Sequence, residues 1–150
     1  MGTYKDLQVY QLSFHLALDI HFQSLRFPKH EQFALADQIR RSSRSTCANI
    51  VEAYRKRSYP RHFISKLSDA DGENTETCVW LDFAISFGYI EKASYDKMKS
   101  SCNSIGNLIG NMMKHPSRFC QPRTAKRQTL TVNREPSTPR FLPPRSESAP

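Results

Sequence analysis

The sequence predicts an all-α fold: an up-down-up-down antiparallel four-helix bundle followed by a disordered C-terminal tail. Apolar residues recur at helical spacing in four stretches, which are separated by breaks of about two to six residues. No stretch shows the alternation of apolar and polar residues that is typical of a half-buried strand. The bundle is expected to occupy residues 1–116 and the basic, proline-rich tail residues 117–150.

The first helix is predicted from about Tyr4 to Leu25, and Pro28 ends it because proline disfavours helix in the residue before it. Nine apolar residues make its inward face. The main stripe is expected to be Leu7, Tyr10, Phe14, Leu18 and Leu25, widened by Val9, Leu12, Leu16 and Ile20.

The second helix is predicted from about Glu31 to Arg57. The side chains of its inward stripe are small in the middle of the helix and larger at the ends, so a neighbouring helix can come close at the middle. The stripe comprises Ile39, Ser43, Thr46, Ile50 and Ala53, with Tyr54 beside it.

The third helix is predicted from Pro60, a residue suited to a first helical turn, to about Phe87, with Gly88 as its C-terminal cap. Its inward face is expected to be Phe63, Ile64, Leu67, Ala70, Cys78, Leu81 and Ile85. Gly72 in the helix interior costs about 1 kcal/mol against alanine, so close helix contact or a local irregularity is expected there.

The fourth helix has the most regular pattern, a seam at alternating spacings of three and four residues. The seam comprises Tyr95, Met98, Cys102, Ile105, Ile109 and Met112. Gly106 and Gly110 lie four residues apart, which would permit a tight helix contact.

The chain of 150 residues carries a formal net charge of +8, and that charge is unevenly placed. Residues 117–150 hold seven Lys/Arg and two acids, a net +5, whereas residues 1–116 hold fifteen and twelve, a net +3. A basic balance attracts nucleic acid, anionic lipid or acidic proteins without choosing among them. Within the tail, "PRFLPPR" is either a polyproline-type ligand or, as we favour, a solvated linker.

Several classes of function are not expected. Cys47, Cys78, Cys102 and Cys120 have neither C-x-x-C pairing nor metal-ligand spacing, so reduced thiols are expected. The histidines show no spacing with acids that suits a metal, and there is no glycine-rich phosphate loop, so no cofactor is expected. Without a signal peptide or a membrane span, a cytoplasmic protein with no membrane partner is predicted.

The second helix also carries a basic face. Projected at 100° per residue, Arg41, Arg44 and Arg55 gather nearly opposite the inward stripe and span about 21 Å. The guanidinium fork suits phosphate, so an RNA or DNA backbone is the predicted ligand. A salt-bridged surface or a subunit interface is the alternative. The candidate nucleic-acid-binding residues are Arg40, Arg41, Arg44, Arg55, Lys56, Arg57 and Arg61.

A third side of the same helix is polar. Asn49 and Glu52 lie there with Ser42 and Ser45, away from both the inward stripe and the basic face. Asn49 and Glu52 are therefore candidates for contacts between subunits or between helices, and plain solvent exposure is the alternative.

Two stretches carry a resemblance to a known family: "QIRRSSRSTCANIVEAYRKRS" and "ETCVWLDFAISFGYI". Over about residues 4–114 the chain resembles the four-helix-bundle family named for proteins encoded within 23S rRNA intervening sequences. That family is similar to the accessory proteins of diversity-generating retroelements. The matching positions are Gln38, Ile39, Arg40, Arg41, Ala48, Asn49, Ile50, Glu52, Glu76, Leu81, Ala84, Gly88, Tyr89 and Ile90.

The resemblance implies a small bacterial bundle without enzymatic activity that forms ring-like homo-oligomers, typically pentamers. It also implies nucleic-acid binding or, in the retroelement branch, a partnership with a reverse transcriptase and its RNA. The sequence departs from the family pattern in having Thr46-Cys47 where Ile-Pro is frequent. It also has "EAYRKR" in place of a glycine-containing turn, which adds charge at the end of the second helix.

An enzymatic alternative rests on Arg57 and His62, whose spacing matches the R-x4–6-H motif of helical-bundle ribonucleases of the HEPN type. Such catalysis needs the two side chains together in one cleft. Pro60 falls between them and breaks the helix, so a ribonuclease is the least favoured of the three hypotheses.

Overall fold

The computed structural model describes residues 2–120, and these residues form the predicted antiparallel four-helix bundle. The helices are α1 (Gln8–Ser24), α2 (Leu35–Arg55), α3 (Pro60–Ser86) and α4 (Lys92–Lys114). Short 3-10 helices at Tyr4–Asp6, Lys29–Glu31 and Pro116–Arg118 flank or join them. The predicted tail, including "PRFLPPR", lies outside the described residues from residue 121 onward.

The helices pack as a square in chain order. α2 contacts α1 and α3, and α4 contacts α3 and α1, so α1 lies diagonally across from α3. The antiparallel order brings the end of α2, the start of α3 and the end of α4 to one end of the bundle. Basic residues that are far apart in sequence therefore become neighbours there.

The inward face of α1 differs from the predicted main stripe. The buried residues of α1 are Val9, Ser13, Leu16, Ile20 and Ser24. Phe14, Leu18 and Leu25, which were expected in the core, are instead exposed on the outer side. α1 is apolar on two sides, and the side carrying Leu16 and Ile20 faces the other helices.

The predicted inward stripe of α2 is confirmed, and one of its neighbours is also buried. Ile39, Ser43, Thr46, Ile50 and Ala53 all lie in the core. Ser42, which was expected on a polar outer side, is buried too and its hydroxyl lies 2.8 Å from the Thr77 hydroxyl of α3.

Polar side chains also enter the core from α3, where the prediction had none. Asn74 and Thr77 are buried with Phe63, Leu67, Ala70, Leu81 and Ala84, while Cys78 and Ile85 are only partly buried. Asn74 donates its side-chain N–H to the Cys102 carbonyl of α4 at 2.9 Å. Each of these groups is thus hydrogen-bonded across a helix contact, which removes the cost of burying it unpaired.

Gly88 ends α3 as predicted. Its φ is +76°, in the left-handed region that favours glycine. The Tyr89 N–H donates to the Ala84 carbonyl at 2.9 Å and the Gly88 N–H to the Ile85 carbonyl at 3.0 Å, the two bonds of a Schellman motif. Gly72 has no close neighbour, so the expectation of a tight contact there was wrong.

The seam of α4 is confirmed at five positions: Met98, Cys102, Ile105, Ile109 and Met112 are buried. Tyr95 is only partly buried. A Cβ on Gly106 would lie 3.5 Å from Asn74 Nδ2, an ordinary contact, and one on Gly110 would meet nothing within 4 Å. After α4, Phe119 stacks on Phe63 at 6.2 Å, and Phe119 and Cys120, which fell in the predicted tail, pack against the core.

The two glycines of α3 should respond to alanine in opposite directions. We expect Gly88→Ala to lower the free energy of unfolding by about 1 kcal/mol because its φ disfavours a Cβ. Gly72→Ala should raise it by about 0.5–1 kcal/mol, since the site is helical, exposed and open. Urea denaturation of both variants checks this, and equal signs would contradict the assignment of the two sites.

Candidate nucleic-acid interface

Arg40 is used inside the fold. Its guanidinium donates from Nη1 to Ser24 Oγ and Gln32 Oε1, both at 3.2 Å, and from Nη2 to the Gln32 carbonyl at 2.9 Å. The side chain is partly buried and ties the α1–α2 connection to the first half of α2. Three of its donor positions are therefore occupied within the chain, and little of the fork is left for a phosphate.

Arg41 is paired with acids of the next helix. Its Nη2 lies 3.0 Å from Glu76 Oε1 and its Nη1 lies 3.8 Å from Glu73 Oε1, both on α3. Trp80 Nε1 donates to the same Glu76 oxygen at 3.2 Å. Because the pair is half exposed, it adds little stability, but it offsets the charge that Arg41 would offer to a polyanion.

Arg44 lies at the rim of an apolar groove on the outer side of α1 and α2. Its Nη2 is 3.2 Å from His21 Nδ1, and within residues 2–120 it has no acidic partner. The groove has a volume of about 670 Å³. Its lining is mainly apolar and comprises Tyr4, Tyr10, Phe14, Ala17, Leu18, His21, Arg44, Cys47, Ala48 and Val51.

The remaining four cations collect at the end of the bundle where α2 stops and α3 begins. Arg55, Lys56 and Arg61 are exposed, and in the part of the chain that the structure describes none of them has an ion pair. Arg57 lies over the Tyr54 ring at 3.7 Å and donates from Nε to the Tyr54 carbonyl at 2.9 Å. This cation–π contact fixes the guanidinium while leaving its charge intact.

Two further cations reach the same end from α4. Lys114 is the last residue of α4, and Arg118 lies with Arg57 on a cavity of about 230 Å³ that also includes Tyr54 and Phe63. We name this cluster the basic end. It comprises Arg55, Lys56, Arg57, Arg61, Lys114 and Arg118.

The acids near the basic end are already engaged. Glu52 Oε2 lies 2.8 Å from Lys66 Nζ, and an Asp6 carboxylate oxygen accepts the Thr3 N–H at 2.6 Å. Lys66 offsets the charge of Glu52, whereas Asp6 has no ion pair among residues 2–120 and leaves one negative charge near the six cations.

The helix ends act on this positive potential in both directions. The first turn of α3 holds no acid and no side-chain cap, so its N–H groups reinforce the charge of Arg61. The last turns of α2 and α4 end in Arg55 and Lys114, where a cation is favoured by the helix dipole. Part of this cluster thus stabilises helix ends, whereas Arg61 opposes the dipole and receives no such benefit.

The other candidate residues are placed as follows. Glu52 links α2 to α3 through Lys66, and Asn49 is partly buried with no side-chain hydrogen bond among residues 2–120. His62 packs edge-on against Tyr59 at 5.9 Å between ring centroids. Arg57 lines one cavity with Phe63 and Arg118 and another with Arg55 and Ser58, and His62 lines neither of these two.

Among residues 2–120, no group of three or more His, Cys, Asp or Glu side chains is arranged to hold a metal ion. None of the helices described is long and apolar enough to span a membrane.

The sequence of this bundle matches a known protein family. The family model described as "23S rRNA-intervening sequence protein" matches residues 5–111, which is most of the described chain. The chain belongs to this family. The family's match covers all four helices except the last residues of α4 and leaves Lys114 and Arg118 of the basic end outside it.

A solved member of similar shape comes from Bacteroides thetaiotaomicron. It is a protein of unknown function from the S23 ribosomal protein family, and it shares 31% sequence identity with this chain. The alignment covers 71% of this chain and 95% of that one, with a TM-score of 0.64. No curated protein matches the chain.

Lys114 and Arg118 were missed as candidates because they lie far from the second helix in sequence. The signal was nevertheless present: in an up-down-up-down bundle the last turn of the fourth helix lies at the same end as the last turn of the second. The exposed apolar groove was missed because Phe14 and Leu18 were assigned to the core.

Arg40 should therefore matter for stability. We expect Arg40→Ala to lower the free energy of unfolding by about 2 kcal/mol, because it removes three hydrogen bonds and leaves partly buried Ser24 and Gln32 oxygens without donors. Urea denaturation measures the loss. Arg55→Ala is the matched control on the same helix and should change stability by no more than about 0.5 kcal/mol; equal losses would contradict the internal role of Arg40.

Proposed function

We propose that the protein is a non-enzymatic, homo-oligomeric bundle that binds the RNA or DNA backbone through the basic end. The observation that carries this proposal is the set of Arg55, Lys56 and Arg61, exposed without an ion pair among residues 2–120. Arg57 and Arg118 stand beside them. Such a cluster releases condensed counterions from a nucleic acid, which is the dominant source of backbone affinity.

The proposal keeps four of the seven nucleic-acid-binding residues predicted from the sequence. Arg40 and Arg41 are engaged within the chain, and Arg44 borders an apolar groove. Arg55, Lys56, Arg57 and Arg61 remain as the centre of the surface, extended by Lys114 and Arg118. Lysine and arginine contacts of this kind position a backbone without reading bases, so weak sequence preference is part of the proposal.

The family name is consistent with a nucleic-acid role, because these proteins are named for sequences that interrupt 23S rRNA. Further charge lies in the sequence beyond the bundle: residues 121–150 hold six Lys/Arg and two acids. That segment begins three residues after Arg118 in the chain, and its charge adds to the electrostatic attraction of a polyanion.

The basic end predicts a specific change in salt dependence. We expect the triple variant Arg55→Ala, Lys56→Ala, Arg61→Ala to lower the log–log slope of binding against salt by about two to three, since each phosphate contact contributes about 0.7–0.9. Fluorescence anisotropy measures it with a short single-stranded RNA of mixed sequence and with DNA of the same sequence.

The matched control is Arg26→Ala with Lys29→Ala, which is compared with the double variant Arg55→Ala, Arg61→Ala. Arg26 and Lys29 are exposed at the other end of the bundle, between α1 and α2, and like Arg55 and Arg61 they have no ion pair among residues 2–120. The control should keep the wild-type slope. An equal decrease of the slope in both variants would mean that binding depends on net charge alone. An unchanged slope in the variant of the basic end would show that the basic end is not the binding surface.

Two separate apolar faces support self-association. One is the α1 face, where Phe14, Leu18 and Phe22 are exposed beside the apolar groove. The other is the α3 face, where Val79, Phe83 and Phe87 are exposed. Since α1 and α3 are diagonal in the bundle, these faces lie on different sides of it and can make a head-to-tail contact, which forms a ring when the rotation between copies closes. The family resemblance suggests five copies.

Charge in the α1 face should break such an assembly. We expect Phe14→Glu with Leu18→Glu to reduce the molar mass measured by light scattering to that of a monomer, because burying two carboxylates in an apolar contact is strongly unfavourable. Phe33→Glu, at a loop position that is 96% exposed, is the control and should leave the mass unchanged.

Two outcomes would contradict this assignment. An oligomer that survives both glutamates would exclude the α1 face as the contact. A wild-type protein that is monomeric at micromolar concentration would reject the ring and leave the apolar faces for a different protein, such as a reverse transcriptase.

A further inference from the structure

A polar groove between α3 and α4 contains two cysteines. Cys78 of α3 and Cys102 of α4 line the same cavity of about 560 Å³, together with Lys99, Asn103 and Asn107. Cys78 is partly exposed, whereas Cys102 is buried at the floor. The groove lies between α3 and α4 on the side of the bundle, and none of the residues of the basic end lines it.

Contacts on both sides of the cysteines hold the two helices together. One turn before Cys78, Asn74 donates to the Cys102 carbonyl at 2.9 Å. Lys99, one turn before Cys102, places its Nζ 3.4 Å from the Cys78 carbonyl and 2.9 Å from Asp82 Oδ1. The backbone at both cysteines is therefore held where α3 and α4 pack, and both side chains line one cavity.

The surroundings make the two sulfurs unequal. The neighbouring Cys102 thiol and the Lys99 ammonium lower the pKa of Cys78, against the opposing effects of burial and Asp82. The neighbouring Cys78 and its own burial raise the pKa of Cys102. The pair thus gives up one proton readily, from Cys78, and retains the other on Cys102.

The other cysteines have no such partner. Burial raises the pKa of Cys47 to about 11, and burial also raises the pKa of Cys120, with Arg57 acting in the opposite direction. At neutral pH the thiolate is the reactive form, so these two thiols serve as internal references.

We propose that Cys78 and Cys102 form a peroxide-reactive dithiol that closes into a disulfide between α3 and α4. The Cys78 thiolate attacks one oxygen of a hydroperoxide, the O–O bond breaks, and Cys78 becomes a sulfenic acid as hydroxide or alkoxide leaves. The Cys102 sulfur then attacks the Cys78 sulfur, the S–O bond breaks, and water leaves with the Cys102 proton. Each cysteine sulfur is oxidised by one electron, and the peroxide receives both.

The experiment treats the full-length protein with hydrogen peroxide and maps crosslinks by non-reducing tryptic mass spectrometry. Lys92, Lys97 and Lys99 lie between the two cysteines, so trypsin places them on different peptides. We expect a crosslink between these two peptides in the monomeric chain that disappears on reduction. Crosslinks that join Cys47 or Cys120 in preference would overturn the proposal.

Single variants separate the two steps. Cys102→Ser should stop the reaction at the Cys78 sulfenic acid, which dimedone traps, whereas Cys78→Ser should leave Cys102 unoxidised at the same peroxide concentration. Cys47→Ser is the matched control and should keep the crosslink. If Cys78→Ser still allows oxidation of Cys102, the assigned order of attack is wrong.

The pH profile of alkylation tests the cause of the reactivity. Iodoacetamide should label Cys78 about ten-fold faster than Cys47 at neutral pH. Lys99→Met should move the midpoint of the Cys78 profile to higher pH, since it removes the nearby positive charge but leaves Cys102 in place. Equal alkylation rates for Cys78 and Cys47 in the wild-type protein would overturn the proposal.

Discussion

The contact between the middle of α2 and α3 determines which residues the second helix can present to a partner. Ser42, Ser43 and Thr46 are buried there, and the Ser42 hydroxyl meets the Thr77 hydroxyl at 2.8 Å. Small side chains let the helices approach, and internal hydrogen bonds remove the cost of burying hydroxyls. When this face packs against α3, the rotation of 100° per residue places Arg41, Arg44 and Arg55 on the outer side of α2.

The sequence predicted the buried face of a helix correctly where only one side of that helix is apolar. In α2 and α4 a single stripe satisfies the helical period, and the stripes ending at Ala53 and Met112 are the ones that are buried. α1 has two apolar sides, and the helical period alone cannot tell which of them faces the other helices. Leu16 is buried and Phe14 exposed because of the helices that α1 meets, which is information from outside its own sequence.

Polar residues explain the rest of the difference in the core. A search for apolar repeats passes over Ser13, Asn74 and Thr77, yet all three are buried. Their burial depends on partners: Ser13 donates to the Val9 carbonyl and Asn74 to the Cys102 carbonyl. The Ser13 bond lies within its own helix, whereas the Asn74 bond exists only in the assembled bundle; neither produces an apolar repeat, so spacing did not assign these residues to the core.

The candidate site shows the same dependence on distant partners. Arg41 and Arg44 are equivalent in the projection of the helix, but Glu76, thirty-five residues after Arg41, offsets the charge of the first. The sequence could predict that α2 is basic and that Arg55 faces outward. It could not predict which cations the fold would neutralise, nor that Arg118 would join Arg57 beside one cavity.

The proposed assembly gives the position of the basic end a further consequence. The α1 and α3 faces are lateral, whereas the basic end lies at a terminus of the helices. If copies join side by side around an axis along the bundle, cyclic symmetry places every basic end on the same side of the ring. A weak backbone contact by one copy would then be repeated along one nucleic acid, and each contact after the first would gain from the high effective concentration. Self-association and polyanion binding would therefore reinforce each other, although they use different surfaces.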